Sequence, residues 1–244
     1  MYKIGSLFSG IGGFELGLER AIPAETIWQV EQDKFCQSIL KKHWPKAKIY
    51  NDVRNITKDN VEPVDILCGG FPCQDISTAG KTRGLKGEKS GLWWETWRII
   101  SDLSKGRKKP IVVLENVANI LRLGGKEVVG SLAQIGYSAE WTTIKASDFG
   151  APHRRERWFC VAYPNGGSKS SMSNNAQALE RVPRQLQGFW RENPIESPLC
   201  NVDDGIPQRV ARLKALGNAI VPQCSQWIGE QIWKSGILQG GEHV

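Results

Sequence analysis

Four groups of residues have the types and spacing to do chemistry. In the first, a thiol follows a proline just beyond an apolar run, where residues 64–68 (VDILC) lead into Gly69-Gly70-Phe71-Pro72-Cys73-Gln74. A nucleophilic cysteine must be reachable and partly ionised. A loop beyond a strand with cations nearby meets both conditions, whereas a structural thiol sits inside the strand, where the pattern puts Cys68. Lys81, Arg83, Lys86 and Lys89 supply the cations. In the second, Glu115 closes the apolar stretch IVVLENV. An unpaired charge is costly to bury there, so Glu115 reads as an acid that grips a ligand. In the third, Arg155 and Arg157 flank Glu156 ahead of WFCVAYP, as cationic forks at a strand entrance or as a surface ion-pair cluster. In the fourth, Ser9-Gly10-Ile11-Gly12-Gly13 lets the backbone approach a ligand, and Glu31 lies near the end of the next strand, suited to ribose hydroxyls. The same glycines also suit a plain turn.

The elements that must carry these groups alternate. Residues 3–8 read as a strand, and 9–21 turn through glycines into an amphipathic helix bearing Phe14, Leu16 and Leu18. A strand at 25–31, a helix at 33–43 ended by Pro45, a short strand at 48–50 and a buried strand at 64–68 follow. Then come a helix at 92–103, a buried strand at 111–115, a helix at 126–135 and strands at 138–145 and 157–162. Such alternation predicts an α/β domain with a largely parallel sheet, whose ligands bind at the carboxyl ends of the strands. The cysteine loop, Glu115 and the glycine turn with Glu31 fall there, and the arginine pair stands at a strand entrance. Trp93, Trp94 and Trp97 share a helical face and are read as core. From Pro164 to about Arg212 the chain is rich in Asn, Ser, Gln, Pro and Gly, an insertion or small subdomain. Periodicity returns at 210–216, and 223–233 forms a last helix with Trp227, Ile228, Ile232 and Trp233 on its apolar positions.

With 244 residues, the chain is long enough for one well-buried domain. It has no apolar run of bilayer length and opens without the pattern of a signal peptide, so a cytoplasmic protein with no membrane span is expected. Its six cysteines form no C-x-x-C pair; no metal is expected, and Cys36, Cys68, Cys160 and Cys224 are read as small buried hydrophobes. A net charge of +7 is compatible with a polyanionic partner.

LFSGIGGFELGLE, GGFPCQDIS, ENV, RRERWF and ALGNAIVPQ, in this order and at these distances, resemble the motifs of DNA cytosine-C5 methyltransferases, in particular the short members of phages and prophages. The resemblance covers most of 5–163 and 213–233. It implies a Rossmann-like S-adenosylmethionine-dependent fold with a small target-recognition region: a catalytic and cofactor-binding domain at 1–163, completed by 213–244, and a target-recognition segment at 164–212. The implied reaction moves a methyl group from S-adenosylmethionine to C5 of a cytosine flipped out of double-stranded DNA, leaving S-adenosylhomocysteine.

By that resemblance Cys73 adds to C6 of the base, and Glu115 holds the N3 and amino edge and supports protonation at N3. Arg157 binds O2, and Arg155 positions the catalytic loop and the nucleotide. Phe8, Gly10, Gly12 and Gly13 form the cofactor turn, Glu31 binds the ribose, Asp52 lies near the adenine amino group, and Leu92 touches the adenine. Pro72 and Asn218 lie near the methionine end. The basic loop 80–90 matches the mobile loop that closes over the base. Arg181, Arg184, Arg191 and Arg209 are candidate phosphate or guanine contacts, and Trp190 a further candidate DNA contact. Two positions depart from the family pattern: Ser6 stands where many members have aspartate, and His153 where many have glutamine. A monomer is expected. The tRNA-methylating branch is disfavoured because its Cys-Phe-Thr signature is missing. The reading from another class is a DNA-binding protein that keeps the fold without turnover.

Overall fold

The apolar runs 111–114 and 158–162 carry no polar residue because both their faces are covered. In the first, Val112 and Leu114 join one hydrophobic cluster while Ile111 and Val113 join another. In the second, Trp158, Cys160 and Ala162 alternate in the same way with Phe159 and Val161. Period-two alternation between two cores marks a sheet sandwiched between helices.

The computed structural model describes residues 1–72, 91–106, 108–165 and 209–239. Its strands are β1 (Tyr2–Leu7), β2 (Ala24–Val30), β3 (Lys48–Tyr50), β4 (Ile66–Gly70), β5 (Ile111–Val117), β6 (Tyr137–Lys145) and β7 (Glu156–Pro164). The helices are α1 (Gly13–Ala21), α2 (Lys34–His43), α3 (Gly91–Leu103), α4 (Ile120–Leu123), α5 (Gly125–Gln134), α6 (Arg209–Asn218) and α7 (Pro222–Lys234). The seven strands pair in the order β3-β2-β1-β4-β5-β7-β6. β1 to β5 are mutually parallel, whereas β7 lies antiparallel to both β5 and β6. The expected parallel sheet therefore ends in an antiparallel pair at one edge.

On one face, α3 and α5 bring Trp93, Ile99, Ile100, Val128 and Leu132 onto the sheet. On the other, Phe14 and Leu18 of α1 pack with Trp227, Ile228 and Ile232 of α7. Each such aliphatic side chain, fully withdrawn from water, contributes roughly 1.5–3 kcal/mol. Trp97 ties α3 to α5 by donating from Nε1 to the Ser131 carbonyl at 2.8 Å. Trp93 is fully buried, but Trp94 is 46% exposed, so the three tryptophans do not share one covered face. Cys36, Cys68, Cys160 and Cys224 are buried as expected. No helix among the described residues is long and apolar enough to cross a membrane.

One polar cluster lies beneath the glycine turn. Glu15 is completely buried, and its Oε1 accepts from Gln29 Nε2 at 3.1 Å. Ser9 Oγ also meets Ser6 Oγ at 2.9 Å, so at the departing position a hydroxyl pair anchors the turn.

Candidate functional site

The sheet order reverses between β1 and β4, and the carboxyl ends of those strands frame a cavity of about 460 Å³. Phe8 and Gly10 line it from the β1 side, Glu31 from the end of β2, Gly70 and Pro72 from the end of β4, and Glu115 from β5. Strands that splay apart at such a reversal leave a crevice that ligands occupy.

At one end, the chain leaves β1 through Phe8 and Gly10, both in the left-handed region at φ 55° and 56°. For the phenylalanine this is strained backbone, of a kind concentrated at ligand sites. Glu31 ties the turn down: its two carboxylate oxygens accept from the Gly10 N–H and the Asp33 N–H, each at 2.8 Å. A carboxylate oxygen has a second lone pair, which leaves Glu31 capacity for hydroxyl donors from the cavity. Gln37 holds the Glu31 carbonyl at 2.6 Å and Asn51 at 2.7 Å. Asp33 caps α2, and a backbone N–H from Cys36, with Lys214 at 3.2 Å, lowers its pKa. Val53 and Leu92 add apolar lining.

At the other end, Arg157 Nε meets Glu115 Oε1 at 2.9 Å. β5 and β7 create this pair, since the antiparallel register sets Val117 opposite Arg157 and Glu115 opposite Phe159. Burial pushes Glu115 up to about 7, against the pull of Arg157 and then Arg155. A carboxyl poised there exchanges a proton readily at neutral pH. Arg155, at φ 29°, donates to the Gly217 carbonyl at 2.8 Å and the Ala219 carbonyl at 2.6 Å, bracketing Asn218. Burial and then the charge of Arg157 lower its own pKa. The buried Asn116 donates to the Phe71 carbonyl at 2.9 Å and accepts from the Val117 N–H at 2.8 Å, which fixes the chain just before Pro72.

Phe8, Gly10, Glu31, Pro72, Leu92, Glu115, Arg157 and Asn218 thus meet around one cavity. Gly13 lines a small adjoining recess. Three other candidates stand behind the walls. Gly12, at φ 86°, gives room to the Trp44 ring, while Asp52 caps the turn Val53–Asn55 and pairs with Arg54. Arg155 is the third. Cys73, Arg181, Arg184, Trp190, Arg191 and the loop 80–90 lie outside the described residues, as does the side chain of Arg209 at the start of α6. Asp33, Val53 and Lys214 were not singled out from the sequence. An aspartate before a helix is a legible cap, but nothing local marks Lys214 as its partner.

The four thiols among the described residues are unsuited to nucleophilic work. Burial is the main cause in each case, raising Cys36 to about 11, Cys160 and Cys224 to about 12, and Cys68 well above 9.0.

The sequence profile of the C-5 cytosine-specific DNA methylases matches residues 2–196. The chain belongs to this family. It is 36% identical over 171 residues to the type II methyltransferase M.Bsp6I of Bacillus sp. (strain RFL6), covering 68% of this chain and 53% of the relative. It is 30% identical over 253 residues to the type II methyltransferase M.CviJI of Paramecium bursaria Chlorella virus IL3A, covering 97% and 64%. The solved structure of the Entamoeba histolytica methyltransferase EhMeth superposes with a TM-score of 0.70 over 96% of this chain and 98% of its own. At 14% identity, that likeness speaks for the fold alone. The family member described here spans about half to two thirds of the length of these curated relatives.

Proposed function

We propose that this chain is a DNA (cytosine-5-)-methyltransferase that transfers a methyl group from S-adenosylmethionine to C5 of a cytosine flipped out of double-stranded DNA. The observation that carries the reading is the Glu115–Arg157 pair: a carboxyl raised to about 7 beside a guanidinium, on the cavity that also holds Pro72 and Glu31.

The cavity suits the methyl donor. Glu31 offers acceptor capacity for ribose hydroxyls, Val53 and Leu92 offer apolar walls to a purine, and Gly10 keeps the turn bare, with no atom within 4 Å of the place a Cβ would occupy. Pro72 and Asn218 stand toward the methionine end. When bound, S-adenosylmethionine supplies an electrophilic methyl group on its sulfonium.

Cytosine C5 is a poor nucleophile, and this chain's residues change that. Glu115 holds the N3 and amino edge of the base and supports protonation at N3, and Arg157 binds O2. Electron density drawn to that edge lets the Cys73 thiolate form a bond to C6, which makes C5 enamine-like. C5 then takes the methyl group, its proton leaves, and elimination returns the thiolate to Cys73. Arg155 acts by holding the segment around Asn218. A target inside the duplex must first leave the stack. Residues 164–212 read the sequence, and the enzyme works as a cytoplasmic monomer in the manner of a type II modification methyltransferase.

DNA containing 5-fluorocytosine tests the step, because the C5 proton cannot then be removed. A covalent adduct should accumulate only with S-adenosylmethionine present and disappear in Cys73→Ala. An adduct that persists in the variant would move the nucleophile elsewhere; its absence from the unaltered protein would favour a binding protein without turnover.

A further inference from the structure

Arg98 lies on α3, six residues beyond Leu92, and is not among the residues that line the cavity. Its guanidinium gathers one short turn: Nη1 donates to the Ile56 carbonyl at 2.8 Å, and Nη2 donates to the carbonyls of Val53 at 3.1 Å and Arg54 at 3.4 Å. Nε donates to Glu95 Oε2 at 2.8 Å, which orients the fork from its own helix. The gripped turn contributes Val53 to the cavity, and the gripping helix contributes Leu92. Between the two elements stands the space that the reading above gives to a purine.

We infer that Arg98 is a positioning residue that sets the gap between Val53 and Leu92, and so the affinity for the purine end of the methyl donor. The inference rests on the proposed use of S-adenosylmethionine. Three carbonyls of one turn, bonded to two nitrogens of a rigid plane, fix the tilt of that turn as well as its distance from α3. A lysine would offer a point charge with rotatable donors and could restore the distance without the tilt. Asp52 and Arg54 do not replace this link, because they pair with each other within the turn itself.

The test uses the purified full chain with Arg98→Lys and Arg98→Gln. S-adenosylhomocysteine and adenosine binding are followed by calorimetry and competition, and methyl transfer to DNA is measured over a range of donor concentrations. We expect Kd for both compounds and KM for the donor to rise about tenfold in Arg98→Gln and less in Arg98→Lys, with kcat at saturating donor and DNA affinity within twofold. A role confined to holding the fold would instead lower Tm and the active fraction while KM stayed fixed, and that result overturns the inference. So does a loss seen with S-adenosylhomocysteine but not with adenosine. If Arg98→Gln does not fold, Arg98→Lys is judged by the same ratio. The unaltered chain is measured first: failure to bind S-adenosylhomocysteine removes the functional reading, whereas binding that Arg98 variants leave unchanged removes this inference alone.

Discussion

Replacing Glu115 with glutamine keeps the size of the side chain and abolishes its titration. In the folded chain, burial lifts this carboxyl from 4.5 to about 7 despite Arg157. A carboxyl raised in the folded state binds protons more tightly there than in the unfolded chain. Its contribution to stability is therefore full below pH 4.5 and is lost as the pH rises through about 7. At ~1.4 kcal/mol per tenfold, the interval between those two values corresponds to roughly 3 kcal/mol. Glutamine has no such loss. Urea unfolding of the two proteins across this pH range should show Glu115→Gln gaining about 3 kcal/mol over the unaltered protein between pH 4 and pH 8. Methyl transfer should move the other way, falling by ~10²–10⁴ because an amide cannot hand a proton to a ring nitrogen. Parallel stability profiles would refute the argument that desolvation governs this carboxyl, whatever the activity does.

Two glycines of the turn should respond differently. Gly12→Ala places a methyl 2.2 Å from the Trp44 ring, which Glu19 holds through Nε1, and should cost more than about 2 kcal/mol in denaturant unfolding. Gly10→Ala meets open space and should lose only about 1 kcal/mol from its positive φ; equal losses would contradict the packing argument. Glu15→Gln should become progressively more stable than the unaltered protein as pH rises past 4.5, because burial raises the Glu15 pKa and leaves Oε2 without a partner; denaturant midpoints that track together would argue against it. Asn116→Ala removes the donor to the Phe71 carbonyl and should slow methyl transfer about tenfold with little change in S-adenosylhomocysteine affinity, measured by steady-state kinetics and calorimetry.

The strands β1, β5 and β7 were legible because each buries two faces, so their apolar content survives any doubt about register. Chain direction was not: an antiparallel β7 shows the same alternation as a parallel one. On α1 the pattern favoured Leu16 for the inside, yet the structure buries Glu15, whose Oε1 accepts from Gln29 of the neighbouring strand β2. Neighbouring tryptophans stand about 100° apart around a helix, which is why Trp94 turns to solvent while Trp93 is buried. At the site, the motifs marked Glu31, Glu115 and Arg157 through residue type and place at strand ends. The grip of Arg155 on Gly217 and Ala219, and that of Arg98 on Val53 and Ile56, join residues more than forty positions apart. No local pattern encodes such links.

The central claim is a transfer reaction, and labelled methyl tests it most directly. Unmethylated double-stranded DNA and tRNA are incubated separately with the protein and S-adenosylmethionine carrying a radiolabelled methyl group, with Cys73→Ala as the control. Label should enter DNA, on cytosine C5, and vanish in the variant. Label that enters only tRNA, or that enters DNA equally well without the Cys73 thiol, would contradict the account.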